Sequence, residues 1–154
     1  MTKIEAVKIQ AKVLEEKSKK WCSLTCAKRP DYVWLSNGII IVRIPIEFYM
    51  LNVPENIGIK GYTTLPEDAS EVWLTPIYYK HKEVGTCIRF TADTGGVWVD
   101  NQYLKLFCKG SYNFYKGSYN FYMDSKAKNL WLTEPKTRNV VGVIAGIRGI
   151  NIKV

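Results

Sequence analysis

Between residues 105 and 128 the chain interleaves two kinds of side chain that together can hold a nucleic acid. Lys105, Lys109, Lys116, Lys126 and Lys128 alternate with Tyr112, Phe114, Tyr115, Tyr119, Phe121 and Tyr122. Ammonium groups follow a phosphate backbone while rings stack on bases, a composition that single-stranded nucleic-acid binders use. The same composition suits a sturdy antiparallel hairpin, in which one face turns into the core and half of the rings serve packing. Sequence alone leaves both readings open.

Other chemistries find fewer residues. His81 is the one histidine, set between lysines in YYKHKE, and reads as a partly exposed strand-end residue rather than a general base. Cys22, Cys26, Cys87 and Cys108 include no paired CxxC, so their spacing does not suit a tetrahedral metal site. In a reducing compartment they read as small buried hydrophobes. A cysteine nucleophile would need His81 brought to it by the fold. No GxSxG, P-loop, HExxH, EF-hand loop or strand-following GxGxxG occurs. The carboxylates are scattered: Asp93 and Asp100 flank a strand, Asp124 stands alone, and Glu67-Asp68 lies in a turn-rich stretch. A metal-dependent nuclease could still assemble from distant carboxylates, but the leading expectation is a non-enzymatic protein with no catalytic residue, metal or cofactor.

Charge is spread unevenly along the chain, whose formal net charge is +8 over 154 residues. Residues 1–30 hold eight Lys/Arg against three acids, 31–100 hold five against nine, and 101–154 hold nine against two. If the two basic ends meet in the fold they form one positive surface, which would attract a polyanion; a solvated basic face kept for solubility is the alternative. The first twenty residues alternate charged and aliphatic side chains, with no apolar run long enough for a signal sequence or membrane span. A cytoplasmic protein without membrane contact is expected.

The elements that must position these residues can be read in order. Thr2-Lys3-Ile4-Glu5 is a capping box, which starts a helix expected to run to about Lys20. Ile4, Val7, Ala11 and Leu14 share one stripe expected to face the core, Lys8, Lys12 and Lys19 share a flank, and Ile9 and Val13 fall on the far side. Ser36-Asn37-Gly38, between β-branched and aromatic runs, predicts a hairpin whose second strand ends at Pro45. Residues 52–69, rich in Gly, Pro and Asn, predict a long connection between two halves of a single domain, 1–51 and 70–154. Successive antiparallel strands follow, then a short helix capped by Asp100 with Tyr103, Leu104 and Phe107 on one side, then closing strands from NLWLTEP onward. The fold class is α+β.

Residues 109–122 repeat one heptapeptide, KGSYNFYKGSYNFY. Seven is odd, so both copies in one strand would face their rings oppositely. A turn at Gly117-Ser118 removes the conflict and pairs Phe114 with Phe121 and Tyr112 with Met123 in an aromatic ribbon. The alternative is a slippage product that leaves one copy as a loop.

Three phrases carry a resemblance. KRPDYVWLSNGIIIVRIP resembles the strand, turn and strand that follow the first helix of sliding-clamp domains; GGVWVDNQYLKLFCKG resembles the strand entering the second helix; EPKTRNVVGVIAGIRG resembles the closing strands. Together they are similar to small clamp-like proteins of phages and mobile elements and loosely cover most of the chain. The resemblance implies antiparallel sheets with both helices facing a DNA duplex. Lys8, Lys12 and Lys19 would sit on the first helix and Lys105 on the second, touching phosphate without reading bases. Departures from the family pattern are a missing opening strand, Asn37 in place of Asp at the turn, and acids on the first helix. A single domain cannot encircle a duplex.

The function these readings imply is a DNA- or replication-associated accessory protein of a phage or mobile element, contacting nucleic acid through the lysines named above with Tyr112, Tyr115, Tyr119 and Tyr122. The rival is a protein-interaction or inhibitor module that presents the aromatic ribbon to a protein partner or to a second copy.

Overall fold

Thr2 and Glu5 form the reciprocal cap that their spacing predicts: the Glu5 amide donates to Thr2 Oγ1 at 3.2 Å and the Thr2 amide to Glu5 Oε2 at 3.0 Å. They open α1, Lys3–Glu15. The computed structural model describes residues 1–15, 24–107, 119–126 and 128–150, so Lys19 and the expected end of this helix lie outside the described residues.

The face that α1 buries corrects the expectation. Ala6, Ile9, Gln10 and Val13 are buried, whereas Ile4 is 67% exposed and Val7 and Leu14 are more than a third exposed. Both stripes recur at helical spacing, and Gln10 decides between them. Its Nε2 donates to Phe48 O at 2.8 Å and Ala6 O at 3.1 Å, and its Oε1 accepts from the Met50 amide at 2.8 Å. A fully satisfied polar group costs little inside, and this one clamps the helix to the chain leaving the hairpin.

That hairpin comprises β2, Tyr32–Ser36, and β3, Ile40–Pro45, with β1, Thr25–Lys28, on the outer side of β2. Asn37 Oδ1 accepts from the amides of Ile39 and Ile40 at 2.9 and 3.0 Å, while Gly38 takes the left-handed φ of 89° that its missing Cβ permits. A 3-10 turn, Ile46–Phe48, follows Pro45.

Past β4, Ser70–Glu71, a meander runs through β5, Trp73–His81, β6, Gly85–Ala92, and β7, Gly95–Asp100. Asp100 Oδ1 accepts from the Gln102 amide at 2.9 Å and caps α2, Asn101–Phe107, which buries Tyr103, Leu104 and Phe107 as predicted. The chain closes with β8, Asn120–Met123, β9, Asn129–Thr133, and β10, Val140–Ala145. Strands β5, β6 and β7 form a small antiparallel sheet; the others form a seven-stranded antiparallel sheet in the order β1-β2-β3-β10-β9-β8-β4. The fold is α+β.

One core unites these parts. Val33, Leu35, Ile40, Val42, Ile44, Leu130, Leu132 and Ile144 line one face of the large sheet and meet α1, α2 and the inner face of the small sheet. The alternate residues Trp34, Trp131 and Val143 form a second cluster on the opposite face, covered by Ile59 and Leu65. Both covers belong to residues 52–69. This connection bridges Cys26 of β1 through Glu55, forms a 3-10 segment at Ile57–Tyr62, touches Asn139 through Thr64, and enters β4 at the far edge. It crosses the sheet from edge to edge, and strands from both sides of it share that sheet.

The pairing expected between the heptapeptide copies is not the pairing of β8. Phe121 and Met123 lie opposite Leu132 and Leu130 in β9. On the other edge Met123 faces Ser70, and Phe121 O accepts from the Val72 amide at 2.9 Å. Both edges of β8 are used, which leaves no ladder for Phe114 or Tyr112; these two residues lie outside the described residues. A nearby sheet with partners on both sides outcompetes an isolated two-stranded ribbon.

Two outcomes follow from this arrangement. Deleting either heptapeptide yields the same chain and restores the same residues before Met123. The rings of Phe107 and Tyr119 are centred 6.2 Å apart, so a short link can join α2 to β8. The deletion variant should melt within a few degrees of the parent, because halving the length of chain that links α2 to β8 changes closure entropy by only about 0.6 kcal/mol; a cooperative transition lost in calorimetry would refute this. Asn37→Asp should destabilise the protein by about 2 kcal/mol in denaturant titration, because it removes a buried donor and places a charge where Asn37 is fully buried.

Candidate nucleic-acid interface

α2 is held by an amide the sequence did not explain. Asn37 of the β2–β3 turn donates from Nδ2 to Tyr103 Oη at 3.2 Å. An aspartate has no such donor when ionised. The hairpin turn thereby fixes the first turn of α2, and α2 in turn receives α1: Lys12 Nζ donates to Gln102 Oε1 at 2.6 Å. Three polar contacts, from Gln10, Asn37 and Lys12, set the two helices side by side.

Lys12 is the cation of α1 that reaches α2. Lys8 lies one turn before Lys12 on α1, Lys105 lies one turn after Gln102 on α2, and both Lys8 and Lys105 are exposed. Lys12 is more constrained, with its side chain 20% exposed and Glu15 Oε2 at 3.5 Å. Glu5, the other described acid of this helix, accepts from the Thr2 amide in the cap. The Lys12–Gln102 bond is one contact between residues 1–30 and residues 101–154. Sequence reasoning named the lysines but missed Gln102, whose only local signal is its place two residues after the capping Asp100.

The remaining candidates divide. Lys126 and Lys128 are exposed in the turn between β8 and β9. Asp124 organises that turn by accepting from the Lys128 amide at 2.8 Å, Asn129 Nδ2 at 3.0 Å and Trp131 Nε1 at 3.4 Å. Tyr119 is half-buried and meets Phe107 edge-on; Tyr122 is half-buried with the Arg138 guanidinium 5.3 Å from its ring centre. Each ring has a partner inside the protein. Lys109, Lys116, Tyr112 and Tyr115, like Lys19, lie outside the described residues.

The groups that could suggest catalysis have other employment. His81 ends β5, and its Nδ1 accepts from the Glu83 and Val84 amides at 3.2 and 3.3 Å, closing the β5–β6 turn. Cys26 and Cys87 are free and buried. Burial, reinforced by the Asp100 carboxylate, pushes the Cys87 thiol up to about 11, which keeps it protonated and a poor nucleophile at neutral pH. Glu134 is engaged by Arg43 at 2.6 Å, which lowers its carboxyl below the usual range, and Arg43 also lies 4.4 Å from the centre of the Tyr32 ring. Among the described residues no three His, Cys, Asp or Glu side chains converge to hold a metal, and no helix is long and apolar enough to cross a membrane.

The raised Cys87 thiol value makes a signed prediction. A folded-state value above the ordinary one means that stability is fully present below about 9.0 and is lost as pH rises toward about 11. Cys87→Ala should lose less stability over that interval than the parent, measured by urea titration at stepped pH; parallel curves would overturn the assignment.

In comparisons with known proteins, no family model, curated protein or solved structure matches the chain.

Proposed function

We propose that the protein is a non-enzymatic, nucleic-acid-associated accessory protein that rests the α1–α2 seam against a duplex backbone. The observation that supports this reading is the Lys12–Gln102 bond, which joins α1, where Lys8 lies one turn before Lys12, to α2, where Lys105 lies one turn after Gln102. Lysine is a compact, strongly hydrated point charge on a flexible stem, suited to phosphate and without the rigid planar fork of arginine. The contact is therefore one of position without sequence readout. Glu15 lies 3.5 Å from Lys12 and offsets its charge, which leaves Lys8 and Lys105 as the exposed cations of the seam. A role beside replication, as small clamp-like proteins have, fits a surface that holds DNA without reading it.

Fluorescence anisotropy with a labelled DNA duplex across a salt series tests the proposal. Affinity should fall with log salt at about 0.9 per phosphate contact, and the Lys8→Glu, Lys105→Glu double variant should reduce that slope by about two. Absence of binding at low ionic strength, or a slope unchanged in the double variant, would reject it.

A further inference from the structure

The face of the large sheet remote from the helices carries a cleft that the seam does not use. Its volume is about 310 Å³, and it opens between the β2–β3 turn, the ends of β9 and β10, and the 3-10 segment Ile57–Tyr62. That size lies at the small end of ligand pockets. Ile39, Ile41 and Val143 give it an apolar floor, and no charged residue lines it.

The polar groups on its walls are fixed by bonds that leave complementary atoms over. Ser36, only 6% exposed, accepts at Oγ from the Gly38 amide at 3.1 Å and keeps its hydroxyl proton to donate. Asn56 Oδ1 accepts from the Gly58 amide at 2.9 Å, leaving its Nδ2 as a donor. Asn129 Nδ2 is held by Asp124 at 3.0 Å, leaving its Oδ1 as an acceptor. Two donors and an acceptor around an apolar floor match the edge of a neutral heterocycle that carries both kinds of group.

One wall is aromatic. Tyr62 is 42% exposed and its ring lies nearly parallel to Trp131, 22° between planes and 5.9 Å between centroids. Trp131 is buried and donates to Asp124, so the backing ring cannot swing, and Tyr62 offers a supported surface for stacking. Asn129 also lines the cleft, and the turn before it carries Lys126 and Lys128, both exposed and neither part of the lining. Asp124 is the nearest acid in that turn, and three donors already occupy its carboxylate.

We propose that this cleft binds a nucleotide, with the base against Tyr62 and the polar walls and the phosphate on Lys126 and Lys128. The base can belong to a free mononucleotide or to a single strand, because both present the same ring and the same anion. The site is independent of the α1–α2 seam and survives if the duplex reading fails.

Isothermal titration of the full chain with each ribonucleoside 5′-monophosphate, the parent nucleosides and inorganic phosphate tests it. At least one monophosphate should bind saturably, its nucleoside more weakly, and phosphate alone should not displace it. Tyr62→Ala should weaken binding about tenfold, the loss expected for one stacked ring, whereas Tyr62→Phe should bind like the parent and control for folding. Lys128→Gln should bring the monophosphate down to the affinity of its nucleoside. A short oligonucleotide that binds more tightly than its mononucleotide assigns the site to a strand; equal affinity assigns it to the free nucleotide. No saturable binding at millimolar ligand, or equal binding by Tyr62→Ala, overturns the proposal.

Discussion

The pairing of β3 with β10 is the interaction on which the rest of the molecule depends. Val42 faces Gly142 and Ile40 faces Ile144, so the hairpin near the N-terminus is zipped directly to the last described strand. That ladder turns two short sets of strands into one sheet with two usable faces. The core that seats both helices lies on one face, and the covered cluster with its cleft lies on the other. Gly142 shows how tightly the closure is made: a Cβ there would lie 2.4 Å from the Phe107 ring, so α2 packs on bare backbone where β3 and β10 meet.

Buried amides translate this sheet into helix positions. Aliphatic packing is non-directional and would tolerate rotation of α1 about its axis. Gln10 removes that freedom through bonds to Phe48 and Met50, and Asn37 does the same for α2 through Tyr103. The apolar interior supplies most of the stabilisation and these few polar groups supply orientation.

Where the determining contacts were local, the sequence was readable. The Asn37-Gly38 turn, the Thr2–Glu5 box and the Asp100 cap each complete their bonds within four residues. Where the decision was made far along the chain, it was not. The buried face of α1 depends on carbonyl and amide groups at Phe48 and Met50, and two stripes of similar apolarity gave no hint of them. The partners of β8 were hidden for the opposite reason: the identical heptapeptides advertised pairing with each other, while the winning partners, β9 and β4, carry no resemblance to them. The joining of Lys12 to Gln102 and the cleft beside Tyr62 exist only after tertiary closure.

The crossing of residues 52–69 over the large sheet has a bearing on how the chain is made. On the ribosome β1, β2 and β3 emerge early, and the segment that carries Ile59 and Leu65, which cover Trp34 in the finished fold, follows at once. The inner edge of β3 has no such early neighbour, since its partner residues, Gly142 to Ile144, are synthesised last among the ladder strands. The β3 edge therefore stays unpaired until β10 is made, an edge of the kind that invites pairing with other chains.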